Sequence, residues 1–195
     1  MTVRPPARDA GQRKRDALER LRDDEDAWVS TASRDGTPCL VPLSFVWHGE
    51  RLVMATRKNN PTARNLAANG ACRVALGPTR DVVLLESTAE VLASDALPED
   101  TGAAFAAKLG WDPRGRDAWV FLSFRPHRIL AWREVNELPE RELMRDGVWR
   151  VQAASFGSAR GRCARNRPLR DDRGHGESST APASAHDRVS RRRRP

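Results

Sequence analysis

The chain has 195 residues, 39% of them hydrophobic and 31% charged, a length that suits one ordinary domain rather than two. Its formal net charge of +8 is unevenly placed: residues 152–195 hold 11 of the 34 Lys and Arg but 4 of the 26 Asp and Glu, so nearly all the excess belongs to that tail. No run approaches the roughly 20 apolar residues of a membrane span, and the N-terminus lacks an apolar signal region. Cys39, Cys72 and Cys163 show neither CxxC spacing nor paired His ligands, which argues against a zinc site or a disulfide framework and leads to the expectation of a cytoplasmic protein with reduced thiols.

In chain order, Arg13 to Asp24 reads as a short charged helix with Ala17, Leu18 and Leu21 on one face, packed loosely as a lid or brace. From Ala27 the apolar period changes to that of a strand. Residues 28–33, a turn at Arg34-Asp-Gly-Thr37 and a strand from Pro38 to His48 form a hairpin, Asp-Gly being the strongest short turn signal. Alternation in the second strand puts Cys39, Val41, Leu43, Phe45 and Trp47 on the core face. Pro42 cannot donate to a ladder, so the strand is expected to be bulged or at an edge there, leaving backbone groups free for a ligand. A turn at His48-Gly-Glu50 leads to a strand over 51–56.

Pro61 then opens a short helix with Asn60 as its cap, ending at Asn69-Gly70. Strands follow at 72–76 and 81–91, joined by Gly77-Pro-Thr-Arg80, and an amphipathic helix spans Pro98 to Leu109 with Phe105 and Leu109 inward. Strands at 119–124 and 128–135, separated by Arg125-Pro-His127, complete a meandering antiparallel sheet that closes into a small barrel. The tail over 152–195 is rich in Arg, Ser, Gly, Ala, Asp and Pro and nearly devoid of large apolar residues. It is expected to be disordered, and with no aromatic residue beyond Phe156 to stack on bases it is not expected to bind nucleic acid.

The stretch Leu52-Val-Met-Ala-Thr56-Arg-Lys-Asn-Asn-Pro-Thr-Ala-Arg64-Asn-Leu66 carries the chemistry. A strand ending in Thr56, two cations at Arg57 and Lys58, and an Asn-Pro helix start bearing Arg64 suit a phosphate group, because the free N–H groups and dipole of a helix start attract anions and the cations add charge-assisted hydrogen bonds. The same residues also satisfy a solvated basic turn ahead of a surface helix. No paired carboxylates, triad or metal cluster emerges; the chain has no Tyr, His48 and His127 fall in turns, and His175 and His186 fall in the tail. A site without acid or base fits cofactors whose own ring carries the hydride.

Taken in order, Trp28-Val-Ser-Thr-Ala, Asp35-Gly-Thr-Pro, Val41-Pro-Leu-Ser-Phe-Val-Trp47, Gly49, Leu52 to Thr56, Pro61 with Arg64-Asn-Leu66, Arg73-Val-Ala-Leu and Trp132-Arg-Glu resemble the pyridoxamine 5'-phosphate oxidase-like split β-barrel superfamily. The resemblance covers about residues 10–151. It implies a mainly β fold, a six-stranded antiparallel split barrel with short flanking helices that forms a homodimer and binds FMN or the deazaflavin coenzyme at the subunit interface. By the same resemblance Thr56, Arg57 and Lys58 hold the cofactor phosphate, with Arg64 and Asn65 on the following helix; Pro42, Leu43 and Ser44 run beside the ring, and Trp132 and Arg133 reach the site, often from the partner.

The domain boundaries that follow are 1–151 for a flavin-binding barrel and 152–195 for the tail. The function expected is hydride transfer between FMN or deazaflavin and a small organic substrate. A non-catalytic module for flavin, haem or tetrapyrrole is the alternative. Trp132-Arg-Glu-Val-Asn-Glu-Leu-Pro-Glu-Arg141 does not reproduce the Trp- and Arg-rich segment with which the oxidases themselves grip their substrate phosphate, which argues against vitamin B6 as substrate.

Overall fold

Alternating burial along the strands sets the architecture. In the computed structural model, which describes residues 5–151, α1 (Ala10–Asp23) precedes β1 (Asp26–Ala32), β2 (Pro38–His48), β3 (Arg51–Arg57), α2 (Pro61–Asn69), β4 (Ala71–Leu76), β5 (Val82–Ala93), α3 (Glu99–Leu109) and β6 (Trp119–Trp132). A 3-10 helix over Val135–Glu140 then leads to a short hairpin, β7 (Glu142–Arg145) and β8 (Val148–Trp149). The sheet runs in the order β3-β2-β1-β4-β5-β6-β7-β8, and an added β3–β6 pairing closes the first six strands into an antiparallel barrel. The expected tail, with Cys163, His175 and His186, lies outside the described residues.

The barrel splits along β6. Its first half, Trp119 to Phe124, pairs with β3, and its second half, Arg128 to Leu130, pairs with β7. The two strands expected at 119–124 and 128–135 are thus one strand ending at Trp132, a correction with a local reason. Pro126 sits where β6 changes partner, so its missing N–H removes no ladder bond on that side, while pairing to β5 continues through a register shift at Glu86/Ser87. The β7–β8 hairpin was not anticipated.

Phe45, Leu52, Met54, Val74, Leu85, Leu122, Phe124 and Ile129 fill the barrel with at most 0% exposure each, and α1 belongs to the same core. Ala17 and Leu21 are fully buried, and Arg13 and Lys14 are buried as well, donating to the carbonyls of Glu140 and Val151 at 2.9 and 2.7 Å. The helix is therefore an integral wall and not a loose lid. A second cluster lies outside the barrel, where Phe105 and Leu97 from the α3 region cover Val46, Val53, Ala55 and Phe121. Among the described residues no helix is long and apolar enough to cross a membrane.

Candidate functional site

The cavity with the expected chemistry opens where β2 and β3 diverge. Only Phe45 to His48 of β2 pair with β3; the preceding residues pair with β1 alone, Pro42 lying opposite Trp28 in unbroken register. Of the two arrangements expected at Pro42, an edge is found and a bulge is not. Between this free edge and the end of β3 lies a cavity of about 390 Å³, lined by Asp26, Pro42, Leu43, Ser44, Ala55, Thr56, Arg57, Asn60, Trp111 and Trp119. Ligand pockets of small-molecule proteins have this order of volume.

Its floor is fixed by local bonds. Thr56 is buried and its Oγ1 accepts from Asn60 Nδ2 at 2.8 Å. Asn60 takes the N-cap position of α2 as expected, but its side chain turns back to the strand end instead of capping the helix, which proceeds from Pro61 to the left-handed Gly70. The Lys58 N–H donates to the Ala118 carbonyl at 3.0 Å, tying the turn to the segment before β6. Ser44 Oγ donates to Asp26 Oδ1 at 2.6 Å, so the cavity contains one hydroxyl–carboxylate pair.

The cations differ in their partners. Arg57 and Lys58 are exposed and neither forms an ion pair among the described residues, a state they share with about half of the described cations, while Arg8, Arg20, Arg51, Arg73, Arg114, Arg128, Arg133 and Arg145 are paired. Arg64 donates to the Asn59 carbonyl at 2.9 Å, bracing the same turn from α2. Lys58 lines a neighbouring cavity of about 440 Å³ that shares Trp119 as a wall. An anion entering here would meet two guanidinium or ammonium groups that need not abandon a carboxylate to bind it.

Of the residues singled out from the sequence, the structure brings Pro42, Leu43, Ser44, Thr56 and Arg57 into one cavity and places Lys58 and Arg64 at its turn. Three go elsewhere within the protomer. Asn65 is buried and donates from Nδ2 to Thr31 Oγ1 at 3.1 Å, joining α2 to β1. Trp132 ends β6 opposite Val82, with the Arg141 guanidinium 5.7 Å from its ring centroid, roughly 40 Å of strand path from Trp119 at about 3.3 Å per residue. Arg133 is held by Asp16 and Asp81 at 3.3 and 3.1 Å.

Trp119 was missed as a lining residue of this cavity, and Trp111 lies in a loop expected to help build the substrate pocket. The loop at Trp111 had no placement from sequence, and Trp119 reaches the cavity because it pairs with Arg57 across 62 residues of chain. His48 is half-exposed and meets Asp100 at 3.2 Å, and His127 is exposed; neither lines the cavity. Cys72 is half-buried, donates from Sγ to the Ser87 carbonyl at 3.4 Å, and burial pushes its thiol up to about 12.

Comparison with known proteins agrees with this architecture. The family sequence profile described as pyridoxamine 5'-phosphate oxidase matches residues 14–133. Among solved structures, a heme-binding protein from Mycobacterium smegmatis matches with 16% identity and a TM-score of 0.55, covering 75% of this chain and 60% of that one. A conserved hypothetical protein from Mycobacterium tuberculosis matches with 14% identity and a TM-score of 0.53, covering 70% and 92%. The heme storage protein HutZ from Vibrio cholerae matches with 14% identity and a TM-score of 0.50, covering 58% and 89%. At such identities the likeness is one of fold. No curated protein matches the sequence. The chain belongs to the pyridoxamine 5'-phosphate oxidase family.

Proposed function

We propose that this member of the pyridoxamine 5'-phosphate oxidase family is an oxidoreductase that binds FMN, or a deazaflavin in its place, in the cavity between β2 and β3. The observation that carries the reading is the pair of cations without ion-pair partners among the described residues, Arg57 and Lys58, at the turn beside a slot that Leu43, Ala55, Trp111 and Trp119 line on its apolar side. A phosphate ester on a planar ring fits that combination: the phosphate faces Arg57, Lys58 and the turn braced by Arg64, and the ring faces Leu43, Ala55 and the indoles of Trp111 and Trp119. When bound, the flavin or deazaflavin supplies the hydride-carrying ring.

The chain's own residues then have five tasks. Arg57 and Lys58 bind the phosphate and Thr56 with Asn60 holds their turn in place. Pro42 to Ser44 presents an unpaired strand edge to the ring, Trp111 and Trp119 exclude water from one side, and the Ser44 hydroxyl with the Asp26 carboxylate can hold or pass a proton at the cavity wall. Vitamin B6 is not the substrate proposed. A small organic acceptor or donor is.

The partner proposed is a second copy of the chain. Trp28 and Leu40 are 51% and 60% exposed on the outer face of the β1–β2 sheet, beside the exposed Pro42 that also lines the cavity. Large apolar residues clustered in this way mark an interaction surface. A copy seated there would cover the open side of the cofactor slot and could bring its own Trp132 toward it.

The haem-module alternative draws support from the likeness to the heme proteins of M. smegmatis and V. cholerae. For this cavity it is the weaker reading, because none of its ten lining residues is a His, Cys, Met or Tyr that could ligate haem iron. The test is titration of the full-length protein with FMN, deazaflavin coenzyme and haem, with its mass measured in the same buffer. Saturable binding of one flavin-type cofactor by a dimer, lost in the R57A/K58A double variant, is expected. Haem binding alone, or flavin binding that the double variant keeps, would overturn the assignment.

A further inference from the structure

Arg57, the last residue of β3, lies directly opposite Trp119, the first residue of β6. Residues so paired place their side chains on the same face as close neighbours. The guanidinium carbon of Arg57 stands 5.5 Å from the Trp119 ring centroid, within the reach of a cation–π contact.

The ring beneath it is anchored to the core. Trp119 meets Trp111 edge-on at 4.9 Å, Trp111 meets Phe105 at 5.7 Å, and Phe105 meets Phe121 at 5.3 Å, the last two being 1% and 0% exposed. The loop that supplies Trp111 is fastened in turn by Arg114, which bonds Asp112 at 2.6 Å and Glu99 at 2.9 Å. Gly102 leaves room for that guanidinium, since a Cβ there would come within 2.7 Å of it. A continuous aromatic stack thus runs from the α3 core to the cavity mouth.

An exposed arginine at a strand end loses considerable rotamer freedom when it binds an anion. A carboxylate neighbour would confine it but would also neutralise it. An aromatic face confines the guanidinium and leaves its N–H donors and its charge available. Resting on the reading of this cavity as the site of a phosphate-bearing cofactor, we infer that Trp119 is a positioning residue that holds Arg57 uncompensated at the mouth for a phosphate ester.

The test uses full-length wild type, W119L, W119F, R57A and W119L/R57A, titrated with FMN, riboflavin and inorganic phosphate. W119L should weaken FMN by roughly two- to fivefold more than it weakens riboflavin, which meets the indole with its ring but has no phosphate, the difference being the range of an exposed to partly desolvated cation–π contact. W119F keeps an aromatic face and should stay within about twofold of wild type for FMN, and in the R57A background W119L should cost FMN no more than it costs riboflavin. Equal weakening of FMN and riboflavin by W119L would reduce Trp119 to a wall of the slot and overturn the inference, as would an undiminished W119L effect in R57A. If wild type binds no flavin, the cofactor reading falls and phosphate decides the inference separately. A phosphate-dependent change in tryptophan emission that is lost in both W119F and R57A supports it, and no such change in wild type refutes it.

Discussion

The carboxylate of Glu137 offers the sharpest quantitative prediction. It is 3% exposed and accepts four hydrogen bonds, from Arg8 N and Nε at 2.9 Å each, Arg8 Nη2 at 2.8 Å and Arg133 N at 2.8 Å. Arg8 continues to Asp16 at 2.6 Å, and Asp81 takes Arg133 and Arg20 at 3.1 and 2.8 Å, so one network ties the N-terminal segment, α1, the β4–β5 turn and the end of β6 together. The bonds from Arg8 outweigh burial and lower the carboxyl from 4.5 to about 2.

At 1.36 kcal/mol per pH unit that depression contributes about 3 kcal/mol of folding stability. Because the folded pKa lies below the unfolded one, the contribution is fully present above pH about 4.5 and is lost as pH falls toward about 2. E137Q keeps the side chain's size and removes its charge, leaving Arg8 without its main partner. In urea unfolding at pH 7 the variant should be less stable by about 3 kcal/mol, a midpoint shift of roughly 1.5 M for a domain of this size. The gap should narrow steadily between pH 4.5 and pH 2.5. A gap that stays constant over that range, or none at neutral pH, would refute the reasoning.

Two further predictions bear on the fold. L21A removes a fully buried side chain of α1 and should cost about 3 kcal/mol, lowering the melting temperature by roughly 10 °C; a loss near zero would restore the picture of a loose brace. Cys72, its thiol pushed up to about 12 by burial, should be alkylated at pH 8 on the order of a thousandfold more slowly than an ordinary thiol and at the ordinary rate in denaturant. Peptide mapping that finds native Cys72 labelled as fast as a free thiol would contradict that.

What could be read in the sequence was what short-range chemistry encodes. The Asp35-Gly36 turn, with Gly36 at a φ of 85°, and the Pro61 to Gly70 helix, with Gly70 at 67°, appear where turn and capping rules put them. The strand end at Thr56 and the cations after it were visible for the same reason. The failures at Pro126, Leu21 and Trp119 came where the partner lies far along the chain. Pro126 looked like a strand breaker because nothing local reveals that β6 changes neighbours there. The β7–β8 hairpin was missed although Asp146-Gly147 is a turn signal, since Glu-Leu-Met-Arg has no β-branched residue to suggest a strand. Leu21 was legible as apolar but not as buried, and Trp119 was legible as the start of a strand but not as a neighbour of Arg57.

The distribution of charge partners separates stability from binding in this chain. Residues 1–151 carry nearly balanced charge, and about half of the described cations form ion pairs. At the α1 end Arg8, Arg20 and Arg133 share Asp16, Asp81 and Glu137 in a partly buried network whose removal should be felt as unfolding. At the opposite end of β6, Arg57 rests on an indole and Lys58 on no carboxylate among the described residues, an arrangement that adds little to folding. Like charges left side by side on a turn repel, and that small cost is offset only when an anion arrives. The same residue type therefore has two signatures, and substitutions should divide accordingly: R8A should lower stability without altering affinity for FMN, and R57A should lower that affinity with the melting temperature unchanged within about 2 °C. Both effects appearing together in either variant would show that the two ends are coupled through β6.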